Sequence, residues 1–77
     1  MGQQAKWASS SAKKVYRALL RIGWIEKPRV SKSGSHKQLE HPGYQGEFTW
    51  AFHDSDEIGP RMLARISKRT GLKPEDI

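Results

Sequence analysis

The sequence contains no cysteine, no long hydrophobic run and no glycine-rich phosphate loop. Without cysteine the chain forms no disulfide, thiolate metal site or thiol nucleophile, which suits a reducing compartment and predicts a cytoplasmic protein. No apolar run approaches the ~20 residues that span a membrane, and residues 1–4 lack the apolar core of a secretory signal. A chain of 77 residues forms one small domain, too small to enclose a large cofactor. We therefore expect neither a membrane span nor a small-molecule cofactor.

Acidic residues are scarce in the first half of the chain. Residues 1–41 carry nine basic and two acidic side chains, whereas residues 42–77 carry five basic and six acidic ones. A concentrated positive charge repels itself unless a polyanion lies against it. The composition therefore points to RNA or to an acidic protein surface as the partner, and equally to a surface that only keeps the protein soluble.

Two amphipathic helices frame the predicted domain. Residues 1–10 are expected to form a flexible tail, and residues 11–77 a single domain. Apolar residues recur at helical spacing over residues 12–22, with Leu20 included in the apolar stripe, an N-cap at Ser10 or Ser11 and a stop at Gly23. A second helix begins near Pro60, buries Met62, Leu63 and Ile66, and stops at Gly71. The acidic residues of segment 54–57 are expected at its N-terminus.

Three strands are predicted between these helices, over residues 24–31, 35–41 and 47–53. The first contains Pro28 and is therefore expected to be irregular. In the third, Phe48, Trp50 and Phe52 alternate with polar or small residues and should face the core. The order α-β-β-β-α predicts an α+β fold, in which a three-stranded antiparallel sheet carries both helices on one face.

Histidine is the residue type best suited to proton transfer in this chain. His36 is expected on the polar sheet face beside Lys32 and Lys37, whose charges could bind a phosphate. His53 is a secondary candidate, although it could simply pair with Asp54 or Asp56. The spacing of His36, His41 and His53 does not match a metal site, so no metal is predicted.

Several segments together resemble the HicA family, the mRNA-interferase toxins of bacterial toxin–antitoxin pairs. The resemblance covers residues 11–77. Its motifs are the opening helix from Ser11 to Trp24, Gly34-Ser35-His36 followed by His41-Pro42, Phe52-His53, Glu57-Ile58-Gly59-Pro60, and Gly71-Leu72-Lys73-Pro74-Glu75-Asp76. The sequence departs from many members of the family at Lys37, where they carry a second histidine, and at Ala51-Phe52, near which they carry a proline.

The resemblance implies a fold similar to a double-stranded-RNA-binding domain and an active histidine at His36. It also implies a metal-independent endoribonuclease and a HicB-like antitoxin partner that covers His36. The residues expected to contact RNA are Lys32, Ser33, Gly34, Ser35, Lys37, Arg17 and Arg21. Two other functions stay open, a double-stranded-RNA-binding module that does not cleave and a protein-interaction domain with an acidic partner.

Overall fold

The computed structural model describes residues 6–28 and 37–77. Its elements follow the order β1 (Ser10–Ser11), α1 (Ala12–Arg21), β2 (Ile25–Glu26), β3 (Lys37–Glu40), β4 (Phe48–Trp50), β5 (Glu57–Ile58) and α2 (Pro60–Thr70), with a final 3-10 turn at Pro74–Asp76. The strands β2, β3 and β4 form an antiparallel sheet in that order. The predicted α+β fold, with two helices and a three-stranded antiparallel sheet, is therefore confirmed.

Local sequence signals set the ends of both helices. The Ser11 hydroxyl accepts a hydrogen bond from the amide of Lys14 and caps α1. At the other end Gly23 has a φ of 111°, and Gly71 ends α2 in the left-handed region with a φ of 78°. Pro60 occupies the first turn of α2, as predicted.

Both helices and the sheet contribute to one apolar core. Trp50 is 1% exposed and lies among buried residues of the sheet and the helices. The other buried apolar residues are Ala12, Val15, Ala18, Leu19, Trp24, Leu39, Ile58, Leu63, Ile66 and Leu72. On the opposite face of the sheet the Thr49 hydroxyl donates a hydrogen bond to the Gln38 side chain over 3.0 Å. The register pairs Leu39 with Phe48 and Lys37 with Trp50. Trp50 belongs to the core and Phe48 packs against it, so both face the core as predicted.

A second, two-stranded sheet was not predicted. Ser10 pairs with Ile58, and Ser11 with Glu57. Trp7 packs partly against the core just before β1, so tertiary contacts begin ahead of residue 11. This pairing holds the start of α1 next to the start of α2. A further hydrogen bond runs from the amide of Ala12 to the carbonyl oxygen of Asp56 over 2.8 Å.

Two apolar residues predicted to be buried are exposed. Leu20 is 41% exposed and Met62 38% exposed. In α1 the buried arc runs through Ala18 and Leu19 and leaves Leu20 outside it. The sequence analysis was therefore wrong about these two positions, although the helices themselves are correct.

The predicted third strand is also too long. The strand β4 ends at Trp50, and Phe52 lies beyond it, half-buried, with its ring 5.0 Å from that of Trp50. The chain then turns at residues 53–56, where the amide of Asp56 donates to the carbonyl oxygen of His53. The acidic segment belongs to this turn and to β5, and the first turn of α2 carries no acidic residue. Its predicted place at the helix N-terminus is therefore wrong.

Candidate nucleic-acid interface

Most of the predicted catalytic motif lies outside the described residues. This applies to Lys32, Ser33, Gly34, Ser35 and His36. The first described residue after this gap is Lys37, with which β3 begins. The predicted site residues that the structure places are therefore Lys37, Arg17, Arg21 and His53.

Lys37 lies where β3 faces the first helix. Its Cα is paired with that of Trp50, and its ammonium group lies over the Tyr16 ring, 4.7 Å from the ring centroid. A cation at this distance is attracted to the negative face of an aromatic ring. The Tyr16 ring thus holds the charge of Lys37, the residue that directly follows His36 in the chain.

Tyr16 is itself fixed by two contacts. Its hydroxyl donates a hydrogen bond to Glu26, and its ring lies 5.5 Å from that of Trp50. Burial, together with the hydrogen bond and the charge of Glu26, raises the pKa of the Tyr16 phenol above its ordinary value of 10.0. The sequence pattern places Tyr16 only in the apolar stripe of α1 and does not reveal this role. The signal available was a tyrosine at the edge of that stripe, whose polar tip needs a partner.

Arg17 and Arg21 are exposed on α1, one helical turn apart, as the sequence predicts. Arg21 donates a hydrogen bond to the backbone carbonyl oxygen of Asp76. Its guanidinium group is thereby directed to the C-terminal turn. Among the described hydrogen bonds, none is made by the side chain of Arg17.

His41 has a structural role that the sequence did not reveal. The amide of Gly43 donates to His41 Nδ1 over 2.9 Å, and Nε2 lies 3.0 Å from the carbonyl oxygen of Ile22. Because an amide N–H can only donate, Nδ1 is the acceptor. Nε2 then carries the hydrogen and donates a hydrogen bond to the carbonyl oxygen of Ile22. The imidazole therefore joins the C-terminus of α1 to the loop after β3, with both ring nitrogens engaged in hydrogen bonds.

His53 is exposed at the turn before β5. Its backbone amide donates to the carboxylate of Asp56 over 2.8 Å. The pairing of His53 with Asp56 is therefore made by the main chain rather than by the imidazole.

The described part of the chain contains no cluster of three His, Asp or Glu side chains that could hold a metal ion. Neither α1 nor α2, the two α-helices among residues 6–28 and 37–77, is long and apolar enough to cross a membrane.

Comparison with known proteins places the chain in a family. The model of the HicA toxins of bacterial toxin–antitoxin systems matches residues 12–72, which is most of the chain. Neither a curated protein nor a solved structure matches it. The match runs from the first residue of α1 to Leu72 beyond α2, and so includes both helices and all three strands of the sheet. The chain therefore belongs to the HicA toxin family, and this membership implies an antitoxin as its partner.

Proposed function

We propose that the protein is an mRNA-cleaving endoribonuclease, the toxin of a type II pair, and that it works in the cytoplasm without a metal ion. The family match carries this proposal, because residues 12–72 include the Gly34-Ser35-His36 motif. In this mechanism His36 is the catalytic residue. It transfers a proton at a ribose 2′-hydroxyl or at the leaving oxygen, which makes RNA rather than DNA the substrate.

Lys37, one of the residues proposed to contact RNA, is held in place by its neighbours. Its ammonium group lies on the Tyr16 ring, and Tyr16 is anchored to Glu26. In a regular strand Lys37 and the preceding His36 project to opposite faces, so the charge of Lys37 would serve to attract the RNA backbone rather than to contact the reacting phosphate. Fixing the side chain before RNA arrives also lowers the entropy that binding would otherwise cost.

Electrostatic contacts would hold the RNA backbone. Arg17 is exposed on α1, and its charge would add to those of Lys37 and Lys32. Ser33, Gly34 and Ser35 would contribute hydroxyl and backbone N–H donors to phosphate oxygens. Arg21 lies one turn after Arg17 on α1 and would first have to leave the carbonyl oxygen of Asp76. A HicB-like antitoxin would inhibit the enzyme by covering His36.

The test compares two histidine variants on a labelled RNA. His36→Ala should lower the cleavage rate by ~10²–10⁴-fold, the usual value of positioned acid–base catalysis, while His53→Ala retains activity. Both variants should bind RNA and give the circular dichroism of the wild type. Wild-type cleavage should persist in EDTA, and expression of the wild type, but not of His36→Ala, should arrest growth.

The same assay can contradict the assignment in two ways. Loss of cleavage in His53→Ala with retention in His36→Ala would move the active site to the turn before β5. A gel shift with intact RNA under all conditions would instead favour the non-cleaving RNA-binding module. That second candidate has one observation in its favour, since Lys37 replaces a histidine that many members of the family carry.

A further inference from the structure

An open apolar groove runs between β4 and α2. Phe48, Phe52, Met62 and Ile66 form its floor, and Arg65 and Arg69 lie at its rim. Its volume is about 280 Å³, and Met62 is 38% exposed. Apolar surface with a polar rim is typical of interaction sites, which makes this β4–α2 groove a candidate docking site.

The groove follows the free edge of the sheet. Thr49 and Ala51 also line it, although Thr49 and Phe48 point to opposite faces of β4 because successive side chains alternate. A groove lined from both faces must lie along the edge of the strand. Within the described residues β4 pairs only with β3, so its other edge presents backbone N–H and C=O groups to a further strand.

The rim of the groove is positively charged. Arg61, Arg65 and Arg69 are exposed and recur one turn apart along α2, beside the apolar pair Met62 and Ile66. The guanidinium group of Arg69 is held by two contacts. It donates a hydrogen bond to the carbonyl oxygen of Glu47 over 3.3 Å and lies over the Phe48 ring, 6.0 Å from the ring centroid. The described lining includes no acidic side chain. The charge of the occupant must therefore be negative.

A polypeptide fits this combination better than RNA does. Single-stranded RNA would supply phosphates for the arginines, but it binds through open aromatic faces on which its bases stack. Duplex RNA is bound through its phosphates and 2′-hydroxyls and would leave the apolar floor unused. The guanidinium of Arg69 already lies over the ring of Phe48, and the ring of Phe52 is packed edge-on against Trp50. A free strand edge beside an apolar floor is instead the arrangement that accepts an added β-strand.

We propose that the β4–α2 groove docks an extended segment of a protein partner, which pairs with the edge of β4. Apolar side chains of this segment enter the groove, and its acidic side chains meet Arg65 and Arg69. The proposal does not depend on RNA cleavage, because none of these residues belongs to the proposed catalytic motif.

The probe is a blocked, fluorescently labelled peptide of about eight residues, an ordinary strand length, that alternates valine with glutamate. Its binding to the full chain is followed by fluorescence anisotropy. The matched peptides replace valine by serine, glutamate by lysine, or alternate backbone N–H groups by N-methyl groups. Each should bind at least about tenfold more weakly, since each removes one of the three kinds of contact.

The protein variants locate the site. Met62→Glu and Arg65→Glu should each weaken binding of the valine–glutamate peptide by about tenfold or more. Lys68→Glu changes the charge as much as Arg65→Glu does, on an exposed residue of α2 that does not line the groove, and should change affinity by less than about twofold. His36→Ala should bind the peptide as the wild type does, and circular dichroism checks that each variant is folded.

The proposal would be overturned if the peptide does not bind, if the serine peptide binds as well, or if Lys68→Glu weakens binding as much as Arg65→Glu. It would also be overturned if a labelled RNA oligonucleotide crosslinks to Phe48 or Met62 and displaces the peptide, because the groove would then be part of an RNA surface.

Discussion

Gly23 and His41 are packed so closely that no side chain fits between them. A Cβ atom on Gly23 would lie 2.7 Å from His41 Nε2, and the φ of Gly23 is 111°. The imidazole occupies this place because it bonds to the carbonyl oxygen of Ile22 and to the amide of Gly43. The glycine that ends α1 thus also makes room for the histidine that joins the helix to the sheet.

We expect Gly23→Ala to lower the free energy of unfolding by ~1–3 kcal/mol, because the substitution adds both backbone strain and a steric clash. Urea denaturation followed by tryptophan fluorescence measures this change.

The control is the same substitution in a His41→Ala background, where the clash is absent. The cost of Gly23→Ala should be smaller there, leaving mainly the backbone strain. Equal costs in both backgrounds would show that the contact with His41 contributes nothing to the effect.

Trp50 should be the residue whose truncation destabilises the domain most. It is 1% exposed and contacts the rings of Tyr16, Phe48 and Phe52. Trp50→Ala should lower the free energy of unfolding by ~3–5 kcal/mol, a large share of the stability of a small domain. Phe52→Ala is the control and should cost less, since Phe52 is only half-buried. Thermal unfolding of both variants compares them, and a larger loss in Phe52→Ala would contradict the packing described.

Alkaline unfolding should report on Tyr16. The pKa of its phenol is raised in the folded protein above the ordinary value of 10.0. Below about pH 10 both the folded and the unfolded chain keep the phenol proton. The contribution of the raised pKa to the free energy of unfolding is therefore fully present there. Above about pH 10 the unfolded chain loses the proton first, and stability falls as the pH rises toward the folded pKa.

The matched variant for this prediction is Tyr16→Phe, which keeps the ring beneath Lys37 and removes the titrating group. Its stability should fall less steeply above pH 10 than that of the wild type, as urea midpoints measured between pH 8 and about pH 11 would show. Parallel curves would mean that Tyr16 does not titrate differently in the two states.

RNA binding should depend on salt through the lysines beside His36. Replacing Lys32 and Lys37 by glutamine should weaken binding similarly for unrelated RNA sequences. It should also flatten the slope of log affinity against log salt by about 0.7 for each phosphate of single-stranded RNA that is no longer neutralised. Fluorescence anisotropy at several salt concentrations measures the slope. Lys68→Gln removes a charge from α2 and should leave the slope unchanged, whereas an equal effect of Lys68→Gln would place the RNA on the second helix.

The sequence by itself determined the helices and the alternation of the best strand. An N-cap at Ser11, glycines after α1 and α2 and a proline at the start of α2 act on the residues next to them, so local chemistry is enough to place the helix ends. The alternation that buries Trp50 is likewise a property of neighbouring residues. The family resemblance, which the match over residues 12–72 confirms, also came from motifs read in order along the chain.

Only the tertiary structure decided which surfaces meet. The pairing of Ser10 with Ile58 joins residues far apart in the chain through strands of two residues each, and so short a strand carries no periodicity. The exposure of Leu20 and Met62 depends on which elements cover each helix, and an amphipathic pattern fixes that arc only approximately. The bonds of His41 to Ile22 and Gly43, and the placing of Lys37 on Tyr16, likewise exist only once α1 has packed against the sheet. A sequence records which side chains are able to bond, whereas packing decides which of them come within reach of one another.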